Sequence, residues 1–206
     1  MRFCGCVEAV AEQVSKWAKR SLSYHVAGRL SGITDDQFRA AVAEAFGSWQ
    51  DVCGLTFGVW GGQTASPDIV LTTAPIDGPA GTLAWSQLPT GGDGQILQRY
   101  DAAEAFVVAE SPPVGKIDLV AVACHEIGHA LGLVHAADGS PDLMAPVYQP
   151  GRRRPQPNDV RRIQALYGPP SSGPTTPPSG GDGDPVVIRI FGAQRIEIPG
   201  YKVTKL

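Results

Sequence analysis

Apolar residues recur every three or four positions over one early stretch: Phe38, Ala41, Val42, Ala45, Phe46 and Trp49. That spacing puts them on one face of a helix. Thr34 with Gln37 forms a capping box, so the helix is expected to open after Thr34 and stop before Gly54. Ahead of it, Ser21 to Leu30 alternates loosely and reads as a strand. Leu55–Trp60 and Asp68–Thr73 read as further short strands between turns that carry glycine and proline. Residues 75–95 are rich in Gly, Pro and Thr, with an apolar insert, Thr82-Leu83-Ala84-Trp85, that suits an edge strand. A second helix is expected from near Asp118 to Gly132, where glycine can take the left-handed C-cap conformation. Residues 138–157 are irregular, and Asn158 or Asp159 is expected to cap a last helix that runs through Tyr167 to the breakers Gly168 and Pro169.

Both ends of the chain differ from this middle. Residues 1–16 are short, cysteine-bearing and outside any predicted core. Residues 169–185 are almost wholly Pro, Gly, Ser, Thr and Asp, the composition of a linker. Residues 186–206 alternate again and predict a short β-rich extension, too small to fold alone. The main domain is therefore placed at residues 17–168 of the 206. Its hydrophobic content, 43% over the whole chain, is enough for a sizeable core. A net charge of −3 gives no reason to expect nucleic acid or an anionic membrane as a partner. No apolar run approaches the ~18 residues of a membrane span. The first residues, Met-Arg-Phe-Cys-Gly-Cys, lack the apolar stretch of a signal peptide, so either export by that route or Met1 as the true start is in question. A polypeptide partner and a monomeric state are expected. The four cysteines, Cys4, Cys6, Cys53 and Cys124, are irregularly spaced and do not suggest a disulfide framework; Cys53 and Cys124 read as buried apolar residues.

Three of the four histidines fall within eleven residues, in His125-Glu126-Ile127-Gly128-His129-Ala130-Leu131-Gly132-Leu133-Val134-His135. On a helix, His125 and His129 lie one turn apart on one face and can hold one zinc ion. Glu126 projects beside the metal, where it can take a proton from water. A sharp turn at Gly132 lets His135 return as a third ligand. Three neutral nitrogen ligands leave one position open, the arrangement of a catalytic site. A bare His-Glu-x-x-His can arise by accident; this fuller set of three His, one Glu and one Gly at fixed offsets carries much more weight.

The string resembles the metzincin signature H-E-x-x-H-x-x-G-x-x-H. Further on, Leu143-Met144-Ala145-Pro146-Val147-Tyr148 is similar to the methionine turn of matrixins, with Ala145 in place of the first tyrosine. Asp159-Val-Arg-Arg-Ile-Gln-Ala-Leu-Tyr-Gly168 resembles their last helix, and Trp17-Ala-Lys-Arg-Ser-Leu-Ser-Tyr24 their first strand. The resemblance covers about residues 17–168. It implies an α+β fold of the zincin-like metallopeptidase type, with a twisted mixed five-stranded sheet and three helices. It also implies a zinc-dependent endopeptidase with Glu126 as general base, working in an extracellular or secreted setting. Met144, Pro146 and Tyr148 are then expected at the pocket for the substrate side chain that follows the scissile bond. The rival reading is a catalytically silent zinc-containing module that binds peptides; the intact ligand set and base disfavour it.

Ile76-Asp77-Gly78-Pro79-Ala80-Gly81-Thr82-Leu83-Ala84-Trp85 is similar to a matrixin segment, Phe-Asp-Gly-Pro-Gly-Gly-x-Leu-Ala-His, and Tyr100-Asp101-x-x-Glu104 to another, Phe-Asp-x-x-Glu. By that resemblance Asp77, Asp101 and Glu104 are calcium ligands, a role suited to carboxylate oxygen. The family often holds a second, structural zinc. Its histidines stand where this chain has Trp85 and Arg99, and the remaining His25 lies in the first strand, so one zinc is expected. Cys4-Gly5-Cys6-Val7-Glu8 resembles part of the matrixin latency motif, in which a thiolate fills the open zinc position. Phe3, Val7 and Glu8 depart from that motif. Cys4 is thus a candidate latency switch.

Overall fold

The computed structural model describes residues 15–62, 65–92 and 94–170. The expectations for residues 1–14 and 171–206, including Cys4, most of the N-terminal segment and linker, and the β-rich extension, lie outside them. Within the described residues the element order is β1 (Ser21–Val26), α1 (Asp35–Gln50), β2 (Thr56–Val59), β3 (Ile69–Ala74), β4 (Ala84–Ser86), β5 (Ile96–Asp101), β6 (Phe106–Val107), β7 (Ile117–Asp118), α2 (Leu119–Ala130) and α3 (Pro157–Tyr167).

Five strands form one mixed sheet in the order β2-β1-β3-β5-β4. The pairs β1/β2, β1/β3 and β3/β5 are parallel, while β4 is antiparallel to β5 at the sheet's end. The edge position expected for the 82–85 insert is occupied by Ala84–Ser86. Strand β5 has no counterpart among the sequence predictions. Ile96, Gln98 and Tyr100 all turn inward, and Gln98, fully buried, masks the apolar alternation. Its side chain is satisfied at that depth, facing the Ser86 hydroxyl at 3.4 Å and accepting from the Tyr100 hydroxyl at 3.2 Å. Strands β6 and β7 are two residues each, below what a period-two pattern can reveal.

Helix α1 follows its predicted pattern. Thr34 accepts from the Gln37 amide at 3.1 Å while the Gln37 side chain accepts from the Thr34 amide at 2.9 Å. The predicted stripe from Phe38 to Trp49 is buried throughout. Helix α1 packs over β1 and β2, α2 over β4 and β5, and the two helices pack on each other. Tyr24 stacks on Phe46 with ring centroids 4.1 Å apart, tying the sheet to α1.

All twelve residues of α2 are buried, so it has no solvent face. Asp118 caps its start, accepting from the Val120 amide at 3.3 Å. At its end Leu133 N donates to Gly128 O at 3.0 Å and Gly132 N to His129 O at 2.8 Å, with Gly132 at φ 100°: a Schellman turn that requires glycine. Helix α3 is capped two or three residues earlier than predicted, with Gln156 as its cap and Pro157 as its first residue. Asp159 instead sits in the first turn and accepts from the Gln156 amide at 2.9 Å.

Gly128, in the middle of α2, marks the tightest packing. A Cβ there would land on the Met144 sulfur and come within 2.9 Å of Cζ2 of Trp49. Met144 can shift, but Trp49 is held by its own Nε1–H bond to Cys124 O at 2.8 Å. Gly128→Ala should therefore destabilise the domain by about 1–3 kcal/mol through overpacking. Denaturant unfolding checks this, and a midpoint unchanged from wild type would contradict it.

Candidate metal centre

The bundle of contacts around α2 places three imidazoles together. The ring centroids of His125 and His129 are 4.8 Å apart, those of His129 and His135 4.8 Å, and those of His125 and His135 5.3 Å. One ring nitrogen from each lies within 4.8 Å of the others, the one such group of three potential metal ligands among the described residues. Helical spacing brings the first two together, and the Schellman turn returns the chain so that His135 completes the set.

The other nitrogens are already committed. Nδ1 of His125 is 2.8 Å from Leu143 O, and Nδ1 of His129 is 2.7 Å from Leu133 O. A carbonyl can only accept, so each Nδ1 carries the hydrogen and each neutral ring presents a bare Nε2 lone pair. These two Nε2 atoms face each other at 3.0 Å. Burial also favours the neutral rings: desolvation pushes His125 down to about 4, and His129 well below its ordinary value, the second effect reinforced by the neighbouring imidazoles. Converging, unprotonated nitrogens with their far sides fixed by carbonyls are the donor set a zinc ion requires. Glu126, buried completely, occupies the next position on the same helix.

Residues far apart in sequence hold this site. Trp17 Nε1 donates to Ala130 O at 2.8 Å and the Tyr167 hydroxyl to Leu131 O at 2.9 Å, so two orphan carbonyls at the end of α2 are satisfied. Met144 is buried directly beneath Gly128, and its carbonyl accepts from Ala136 N at 2.8 Å, next to His135. Asp159, also fully buried, accepts from Leu143 N at 2.7 Å and from Met144 N at 3.3 Å. Its burial raises the carboxyl's affinity for a proton while these amide bonds oppose the rise. Arg153 grips Asp118 with two bonds, 2.7 and 2.9 Å, joining the 149–157 loop to the start of α2. Neither Arg153 nor the role of Asp159 was legible in the sequence: each acts through a partner many positions away.

A cleft beside the histidines is lined by Leu83, Ala121, His125, Glu126, Pro146 and Tyr148 among others. Pro146 and Tyr148 line this cleft, while Met144 is packed against Gly128 and is not among its lining residues. The Tyr148 hydroxyl accepts from Asp118 N at 3.0 Å. Asp77, Asp101 and Glu104 gather around one loop. Asp77 accepts from Thr82 N and Oγ, which holds its carboxyl below the usual range. Asp101 accepts from Asp77 N at 3.3 Å and Glu104 from Ala80 N at 2.6 Å. Ala80, at φ 70°, is the one non-glycine residue in the left-handed region among those described. Trp85 and Arg99 face each other across β4 and β5, with the guanidinium 5.4 Å from the indole centre. His25 lies apart on β1, edge-on to Trp60.

A mixed sheet with an antiparallel end strand, crossed by a buried helix that presents His125 and His129 and closed by a third histidine, defines a zincin-like metallopeptidase fold. The chain belongs to the matrixin family, whose sequence model matches residues 16–168. It is 36% identical over 175 residues to stromelysin-3 of Mus musculus, covering 79% of this chain and 33% of that protein. To matrix metalloproteinase-17 of Homo sapiens it is 36% identical over 186 residues, 80% of this chain and 30% of the relative. Matrix metalloproteinase-C of Caenorhabditis elegans gives 32% over 188 residues, 80% and 32%. The chain spans about a third of the length of these relatives.

If Asp159 positions the methionine turn, Asp159→Ala leaves the amides of Leu143, Met144 and Gln156 without their acceptor. At about 1 kcal/mol or more for each buried amide, it should lower stability by roughly 3 kcal/mol and weaken zinc retention against a chelator. Asp159→Asn, which keeps one acceptor oxygen, should fall between. Equal zinc retention in all three proteins would refute the positioning role.

Proposed function

We propose that this chain is a zinc-dependent endopeptidase, with His125, His129 and His135 as the metal ligands and Glu126 as the general base. The observation that carries the reading is the pair of bare Nε2 atoms held 3.0 Å apart with both Nδ1 sides tied to carbonyls. A bound zinc ion supplies electrophilic polarisation of the scissile carbonyl and acidifies the attacking water. Glu126 accepts the proton of that water and passes it to the leaving amine. Its burial in the cleft wall keeps the carboxylate close to the reacting atoms and away from bulk solvent. Substrate runs extended along β4, the end strand, and places the side chain after the scissile bond between Pro146 and Tyr148. Met144 supports the ligand helix from below. Extracellular action on polypeptides fits the family.

The test of the base is Glu126→Gln. It keeps shape and hydrogen-bonding capacity but cannot take the proton. We expect bound zinc at one ion per chain and cleavage of a protein substrate reduced by at least 10²-fold, within the range general-base catalysis contributes. Retained turnover would refute the role of Glu126, and loss of zinc would show that the carboxylate serves binding instead.

We infer further that Asp77, Asp101 and Glu104 hold calcium, with Ala80 kept in its left-handed conformation by the Glu104 contact, and that the chain carries a single zinc because Trp85 and Arg99 stand where the family has zinc-binding histidines. Metal analysis after dialysis should find one zinc, two being incompatible with this reading. Added calcium should raise the unfolding midpoint of wild type and leave Asp101→Asn unchanged; no calcium effect on wild type would exclude the site.

A further inference from the structure

The cleft beside the histidines carries one arginine in its wall. Arg152 lines it together with Gln149 and Tyr148, the metal-site residues His125 and Glu126, and a mainly apolar remainder. Its Nη1 donates to two backbone carbonyls, Ser140 O and Asp142 O, each at 3.0 Å. These bonds fix the guanidinium through neutral acceptors. No carboxylate oxygen among the described residues comes within the 4.0 Å of an ion pair. The contrast with the next residue is plain: Arg153 is neutralised by Asp118 at 2.7 Å and has Glu44 at 3.3 Å. Asp142, whose carbonyl Arg152 holds, turns its own carboxylate to the Asn158 amide at 2.8 Å.

From this we propose that Arg152 is a specificity-determining residue, which selects an acidic side chain, glutamate above all, at the position just after the scissile bond. The inference rests on the endopeptidase reading and names the substrate class of that same site. The guanidinium of the half-buried Arg152, held by neutral carbonyls on one nitrogen, keeps N–H groups on the others. A carboxylate entering between Pro146 and Tyr148 meets a charge-assisted, bidentate partner there. A leucine of similar length reaches the same depth but leaves the guanidinium without an anion and strips its water. A pocket built around a polar group discriminates strongly against a ligand that cannot answer it. Partial solvent exposure limits the gain, and about tenfold is the expected preference.

The experiment uses the full chain loaded with zinc and a peptide series differing only after the scissile bond: Glu, Gln and Leu. In wild type, kcat/KM for the Glu peptide should exceed that for Leu by about tenfold, with Gln between, and the ratio should shrink as sodium chloride rises from low to molar concentration. Arg152→Gln should bring the ratio to one or below while the Leu peptide is cut within a few fold of wild type. Arg152→Lys, which retains the charge without the fork, should keep part of the preference. The same peptides, dye-labelled, are titrated against the zinc-loaded Glu126→Gln protein by fluorescence anisotropy, so that binding is read even where turnover is absent. Tighter binding of the Glu peptide, lost when Arg152→Gln is added, supports the proposal irrespective of turnover. A Leu preference in wild type, a Glu preference that survives Arg152→Gln, or a ratio indifferent to salt would overturn it. Absent cleavage of all three peptides with a Glu preference in binding would instead overturn the endopeptidase reading alone. Should Arg152→Gln fail to fold, the Lys variant and the salt dependence in wild type still decide.

Discussion

Two neutral imidazoles point bare lone pairs at each other across 3.0 Å inside a helix with no exposed face. The rest of the domain fixes both rings in that orientation. The Nδ1–H groups are spent on Leu143 O and Leu133 O, so neither ring can turn to hydrogen-bond elsewhere. Burial lowers the proton affinity of both, so neither relieves the contact by charging. The arrangement could hold a metal ion, and its third histidine comes from the chain reversal at Gly132.

Much of the domain is arranged around α2. A helix buried on every side needs partners for its terminal carbonyls that water cannot supply. Trp17 and Tyr167, from opposite ends of the domain, supply them at Ala130 and Leu131. Trp49 braces the middle of the helix from α1 and meets Met144 at Gly128. The aromatic residues thus combine apolar burial with directed hydrogen bonds. Below the histidine cluster, the buried Asp159 carboxylate gathers the amides of Leu143 and Met144. At the other end Arg153 and Tyr148 converge on Asp118, so the residues that wall the cleft are attached to the helix that carries the histidines. The two neighbouring arginines, alike in sequence, differ in consequence: one closes an internal ion pair, the other stands in the cleft wall.

Local periodicity was sufficient for much of the fold. The stripe on α1, its capping box, the extent of α2 and the end of α3 all follow from interactions within a few residues, and those are what spacing records. Strand β5 was hidden because Gln98 takes an inward position, where Ser86 and Tyr100 satisfy it. Ser86 lies on the neighbouring strand β4, which the pattern along β5 does not show. The two-residue β6 and β7 have no periodicity to detect. The cap of α3 was placed too late because Asp159 has the chemistry of a cap, and tertiary structure uses its carboxylate for the methionine turn as well as for Gln156.

By itself, then, the sequence determined the three histidines, the glutamate between them and the turn that returns the chain, since offsets of four and six residues on a helix and its C-cap are local geometry. It also carried the matrixin resemblance over the whole domain. Only the tertiary structure decided what stands behind those histidines: which carbonyls orient the rings, that Met144 packs against Gly128, that Arg153 pairs with Asp118 while Arg152 bonds the carbonyls of Ser140 and Asp142. Those outcomes depend on groups brought together from distant segments, and a charge's surroundings cannot be read from its neighbours in the chain.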